Sequence, residues 1–292
     1  MKISVNSYSF NSLLKSGSMA LTQCVESAKE LGFDAIDFTE LMPREGMTPL
    51  ELAKALRQRA GDAGIEILNY TVGADFLTGS GGDIGSEIDR VKRQVDIAAE
   101  LGVKLVRHDA SSGFPPGERA LKSFDDALPR LAQGCFQVSE YAAGMGIKTM
   151  VENHGFFCQD SERVQKLISQ TAHPNFGWLV DIGNFLCADE DPAVAVAIAA
   201  PHAFYVHAKD FHIRSGMLPS PGKGFFRSRA GNYLRGAIIG HGEVPVPQCL
   251  SILFKAGYSG PVSVEFEGLE NPMTGLEIGI ENLRRYILLA QE

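Results

Sequence analysis

Four apolar segments in the second half of the chain each run straight into a residue that can ligate a metal. They are Met150-Val-Glu152, Val180-Asp181, Tyr205-Val-His207 and Val264-Glu265. An acid after a strand is by itself most often a solvated loop residue or a helix cap. Four such residues at equivalent positions are a different matter. Three carboxylates brought to one rim repel and raise one another's pKa. A divalent cation removes that repulsion. The expected ligand set is therefore Glu152, Asp181, His207 and Glu265 around one divalent metal. Oxygen-rich ligation with one nitrogen favours Mn²⁺ or Mg²⁺, and Co²⁺ and Zn²⁺ are also compatible. No thiolate is placed to bind.

Such a cluster needs a scaffold that delivers strand ends to one place, and the sequence carries one. A helical segment ends, a Gly follows and a short apolar strand begins. The unit recurs as Glu30-Leu-Gly32-Phe, Asp62-Ala-Gly64-Ile, Glu100-Leu-Gly102-Val, Gly144-Met-Gly146-Ile and Lys255-Ala-Gly257-Tyr. Gly past a helix end takes the left-handed conformation that turns the chain into a strand. Leu50–Ala63 and Ile84–Leu101 between the copies show apolar residues at helical spacing. Eight strands are predicted, near 2–6, 35–39, 65–70, 103–108, 147–152, 176–181, 204–207 and 261–266. Strict alternation of strand and helix predicts a parallel sheet. Eight units predict an α/β fold, a closed (β/α)₈ TIM barrel forming a single domain over residues 1–292. An open doubly wound sheet is the competing fold. No G-x-G-x-x-G follows the first strand to support it.

In a barrel of this kind chemistry sits at the carboxyl ends of the strands. The last residue of each strand is then the one to inspect. Glu40 ends the second strand and His108 the fourth, with Asp109 after it. His154 follows Glu152, and Asn184 lies one turn beyond Asp181. Glu40, His108, His154 and Asn184 are candidate substrate contacts. His108 and His154 are equally well read as rim histidines bonded to their neighbours. Lys209 and Asp210 are read either as a pair orienting His207 or as a rim ion pair. His173 and His202 fall at strand entrances and are read as structural. The stretch His212–Val244 is long for a strand-to-helix connection. It contains Phe225, Phe226, Arg227, Arg229, Tyr233 and Arg235. It reads either as a lid, with Arg227 holding an anionic substrate group, or as an oligomer contact.

The composition sets outer bounds. The net charge is −8 over 292 residues, and such an acidic chain repels a phosphate backbone, so no nucleic-acid partner is expected. Arg214, Lys223, Arg227, Arg229 and Arg235 form a local basic stretch, solvated or anion-binding. The five cysteines are odd in number, widely spaced and without a C-x-x-C, which suits reduced thiols in a cytoplasmic protein. MKISVNSYSF has no apolar core of a signal peptide. No apolar run reaches the roughly 18 residues of a membrane span.

At these motifs the chain resembles the xylose isomerase-like barrels, a group of sugar isomerases and epimerases that includes ketose 3-epimerases and inosose dehydratases. The resemblance spans nearly the whole chain. Met150-Val-Glu152-Asn-His154, Val180-Asp181-Ile-Gly-Asn184, Tyr205-Val-His207-Ala-Lys-Asp210, Gly240-His-Gly242 and Val264-Glu265 carry it. It implies that the metal chelates two adjacent oxygens of a small sugar or polyol. It implies too that Glu152 and Glu265 are catalytic, one removing a proton α to a carbonyl and the other returning it. Return to the other face epimerises, return at the neighbouring carbon isomerises, and loss of a β-hydroxyl dehydrates. The expectation is thus a metal-dependent isomerase or epimerase, with an inosose-type dehydratase as the alternative.

Many relatives carry His where this chain has Asn184. An amide hydrogen-bonds a substrate oxygen but moves no proton at neutral pH. His108, His154 or His241 is then left to handle it. An abasic-site endonuclease on the same barrel would need three metals and more histidines than this chain offers. A non-catalytic polyol binder is the remaining class.

Overall fold

The computed structural model describes residues 1–43 and 46–291. The expected span of 1–292 takes in three residues, 44, 45 and 292, that lie outside this description. The strands in chain order are β1 (Ile3–Asn6), β2 (Ala35–Thr39), β3 (Glu66–Val72), β4 (Leu105–His108), β5 (Lys148–Glu152), β6 (Phe176–Asp181), β7 (Ala203–Ala208), β8 (Asp210–Arg214), β9 (Phe226–Arg227), β10 (Tyr233–Ala237) and β11 (Val262–Val264). The helices are α1 (Asn11–Lys15), α2 (Gln23–Glu30), α3 (Pro49–Ala63), α4 (Ile84–Leu101), α5 (Phe124–Ala143), α6 (Ser161–Thr171), α7 (Pro192–Ala199), α8 (Val246–Lys255) and α9 (Pro272–Ala290). β1 to β7 and β11 close into an eight-stranded barrel in the order β1-β11-β7-β6-β5-β4-β3-β2, with every pairing parallel. The fold is the TIM barrel.

Local sequence explains the helix limits. α3 starts with a capping box, Thr48 and Glu51 each accepting the other's backbone N–H, and Pro49 sits in its first turn. It stops at Gly64, where φ is 63°. α4 is capped by Asp83 and closed by Gly102 at φ 83°. All five glycines of the repeat have positive φ, as the repeat requires. β6 has no such glycine before it. Ala172 takes the left-handed turn instead, at φ 49°.

The main core lies between strands and helices, where Ile36, Phe38, Leu56, Val91, Val95 and Leu131 are almost fully buried. A smaller cluster, Met150, Leu179 and Tyr205, fills the barrel floor. Above it the interior turns polar. Ser4, Asp37, Asn69, Asp181 and His207 are all excluded from solvent. No described helix is long and apolar enough to cross a membrane.

The 212–244 connection carries structure of its own, contributing most of a small antiparallel sheet in the order β8-β10-β9. Phe211, Tyr233, Leu234 and Ala237 are buried in it. The strands are short, and their burial is concentrated at Phe211, Tyr233 and Leu234. The polar, glycine-rich tip near Leu218–Gly224 obscures them.

Candidate metal centre

Neighbouring strands bring the four expected ligands together. Glu152 closes β5 and Asp181 closes β6. Asp181 pairs in register with His207 of β7. Glu265 follows β11, its backbone N–H donating to the Ala208 carbonyl. One ligand atom from each residue lies within 4.8 Å of the others, and all four residues are buried. His207 Nδ1 is 3.7 Å from Glu152 Oε1 and 3.7 Å from Glu265 Oε1.

Backbone and amide groups hold this arrangement. Asn153 Oδ1 accepts from the Asp181 N–H and from Trp178 Nε1, while its Nδ2 donates to the Asp181 carbonyl. Asp181 Oδ1 accepts from the N–H groups of Gly183 and Asn184. Gly183 is required because a Cβ there would lie 2.7 Å from the Lys209 carbonyl oxygen. Asn184 Nδ2 donates to Glu152 Oε1 at 3.2 Å, and its Oδ1 accepts from Lys209 Nζ at 3.1 Å.

Two buried cations flank the acids. Arg107 Nε lies 2.5 Å from Glu152 Oε2, and its Nη2 2.8 Å from Asp109 Oδ1. Lys209 Nζ lies 2.5 Å from Glu265 Oε2, 3.1 Å from Glu267 Oε1 and 3.2 Å from Asp181 Oδ2. Burial pushes the Glu152 carboxyl up, but Arg107 and then His207 outweigh it and hold it well below the usual range. Glu265 is likewise lowered against its burial by Lys209 and His207. Burial, with Glu152 and Glu265 nearby, pushes Asp181 up to about 6 despite Lys209. Burial pulls the His207 imidazolium down, yet Glu265, Glu152 and Asp181 lift it to about 9.

The upward shifts of Asp181 and His207 mark negative charge that Arg107 and Lys209 leave in excess. Asp181 Oδ2 and both His207 nitrogens are buried without a hydrogen-bond partner. Orphaned buried donors and acceptors are costly unless something satisfies them. A divalent cation bound by three carboxylates and an imidazole fits both the charge and the unmet valences.

A cavity of about 440 Å³ opens above the cluster, lined among others by Tyr8, Asn11, Lys15, Arg107, Glu152 and Glu265. The family model for xylose isomerase-like TIM barrels matches residues 25–286. The chain belongs to the xylose isomerase-like TIM barrel family.

Within the breadth of that family, the rhizopine catabolism protein MocC of Rhizobium meliloti is 26% identical over 284 residues, covering 92% of this chain and 82% of that protein. A 3-dehydroshikimate dehydratase of Pseudomonas aeruginosa is 25% identical over 250 residues, 84% of this chain. This chain spans only 36% of that dehydratase. A solved structure of the IOLI protein with a zinc atom superposes with a TM-score of 0.76 at 17% identity, covering 98% of both chains. That last likeness is one of fold.

The other expected contacts divide. Glu40 and His154 line the cavity. Glu40 accepts from Gln94 Nε2 at 3.1 Å, and His154 Nδ1 is 2.9 Å from Asp109 Oδ1. Burial lowers the His154 imidazolium, but Asp109 outweighs it and leaves it above the ordinary histidine value. Asn184 reaches the cluster with both ends of its amide already engaged.

His108 does not reach it. Its ring is fully buried between Phe76 and Phe176, with centroids 5.7 and 5.9 Å away, and its Nδ1 bonds the Asp109 carbonyl at 2.7 Å. It points toward the helices, and it is Arg107 that faces the barrel interior. Arg227 is exposed in β9, where it donates to the Gly231 carbonyl and the Tyr233 hydroxyl, and it does not line the cavity. His241 is exposed and also off the cavity wall. Tyr8, Asn11 and Lys15, after β1, line the mouth, and Phe225 and Phe226 are not among its lining residues. Lys209 and Asp210 do not pair. Lys209 enters the acid cluster, while Asp210 accepts the N–H groups of Gly240, Gly242 and Val244.

Proposed function

We propose that this chain is a divalent-metal-dependent enzyme acting on a small sugar or polyol-derived ketone as an isomerase or epimerase. It removes a proton from the carbon beside the carbonyl and returns one to the opposite face of that carbon or to the neighbouring carbon. The observation that carries this reading is the placement of Glu152 and Glu265, each 3.7 Å from His207 Nδ1 and contributed by strands on either side of it. Glu152, Asp181, His207 and Glu265 would hold the ion, which supplies Lewis-acid stabilisation of charge on the substrate oxygens. Mn²⁺ or Mg²⁺ suits the oxygen-rich set best.

The residues supply the rest. A base must be ionised, and both glutamates are kept so by Arg107 and Lys209. A positioned carboxylate contributes about 10²–10⁴-fold in rate. Glu40 and His154 stand on the cavity wall to meet substrate hydroxyls.

Dehydration at the same centre is the second reading. His154 favours it, because an imidazole on the cavity wall, bonded through Nδ1 to Asp109, is placed to give a proton to a leaving hydroxyl. A relative named as a dehydratase supports it. The test is a screen of ketoses, inososes and cyclic hydroxyketones with Mn²⁺ in D₂O. Deuterium on the carbon beside the carbonyl of the product is expected for epimerisation or isomerisation. An unsaturated product marks dehydration. Turnover that carries the original hydrogen into the product would refute proton abstraction.

A further inference from the structure

Beneath the four ligands lies an acid that the proposed chemistry does not use. Asp37 sits inside the barrel on β2 and is fully excluded from solvent. Its Oδ1 accepts from Ser4 Oγ at 2.9 Å and from the Tyr205 hydroxyl at 2.7 Å. Its Oδ2 has no partner. That oxygen lies 4.0 Å from His207 Nε2, which is also buried and unpartnered. The other ring nitrogen, Nδ1, is the one beside Glu152 and Glu265. The imidazole thus has one nitrogen toward the ligand cluster and the other toward a buried carboxylate.

We propose that Asp37 is a positioning residue that accepts the Nε2–H of His207 and thereby presents the Nδ1 lone pair to the metal. The inference rests on the metal-centre reading above. A movement of about 1 Å closes the gap to a charge-assisted hydrogen bond. Ser4 and Tyr205 both engage Oδ1, and Oδ2 faces the histidine, with the buried Ser263 hydroxyl also beside the carboxyl. A carboxylate behind a ligating histidine fixes its tautomer and raises its basicity. Asp37 touches no substrate and works only through His207.

The experiment titrates Mn²⁺ into the purified full chain against a competing chelator, for wild type, Asp37→Asn and Asp37→Leu. Wild type is expected to bind, and both variants about 10–100-fold more weakly, the leucine the worse. Wild-type binding with unchanged affinity in both variants overturns the role of Asp37 and leaves the metal centre standing. Absence of binding by wild type overturns the metal centre and the inference with it. Should the variants fail to fold, wild type labelled with ¹⁵N-histidine and loaded with ¹¹³Cd²⁺ decides the matter. Cadmium coupling at Nδ1 with a protonated Nε2 is expected for His207, and coupling at Nε2 would overturn the assignment.

Discussion

Arg107 Nε lies 2.5 Å from Glu152 Oε2 and begins a chain that leads from the buried cluster through Asp109 to the exposed His154 at the cavity wall. The guanidinium holds one acid ionised at the cluster and a second behind the histidine. Removing one partner of a buried ion pair leaves an uncompensated charge. Arg107→Met is therefore expected to lower stability by about 3–5 kcal/mol, read by urea denaturation. A loss below about 1 kcal/mol would mean that Glu152 is satisfied by other groups.

Glu152→Gln and Glu265→Gln keep shape and remove the ionised base. Each is expected to cut turnover of the eventual substrate at least about 100-fold, measured by steady-state kinetics beside circular dichroism. Equal turnover in both variants would exclude the acid–base roles.

His108 predicts a pH signature of stability. Burial pushes its imidazole down from 6.5 to about 4. Above about pH 6.5 it is neutral in both the folded and the unfolded chain, and its contribution is complete. Between 6.5 and about 4 only the unfolded chain takes up the proton, so stability falls with pH. Below that window both states are protonated and the contribution is gone. Between about pH 7.5 and about pH 5 this single group is expected to remove about 2 kcal/mol. His108→Phe, which keeps an aromatic ring between Phe76 and Phe176, should lose less stability than wild type over that interval by this amount. Parallel denaturation curves at the two pH values test it, and equal losses would contradict it.

Much of this was legible in the sequence because local rules set it. Gly64 and Gly102 announced helix ends, and the ligands stood where apolar strands stopped. What could not be read was the inward or outward face of a strand end. Side chains alternate with a period of two, so a shift of one residue reverses every assignment. In β5 and β6 the last residue faces inward, but in β4 the last, His108, faces outward and Arg107 takes its place. Lys209 and Asp210 diverge for the same reason. β3 runs on to Val72, past the end expected near Tyr70. Asp37 sits mid-strand, where inspection of strand ends passes over it. The wall built from Tyr8, Asn11 and Lys15 depends on how the first connection folds back over the rim, which no spacing encodes.

Metal content per chain tests the central claim most directly. Elemental analysis after dialysis against Mn²⁺ should find about one ion per wild-type chain and far less in Asp181→Asn and His207→Ala. No bound ion in wild type, about three ions, or full retention in both variants would contradict a single cation held by Glu152, Asp181, His207 and Glu265.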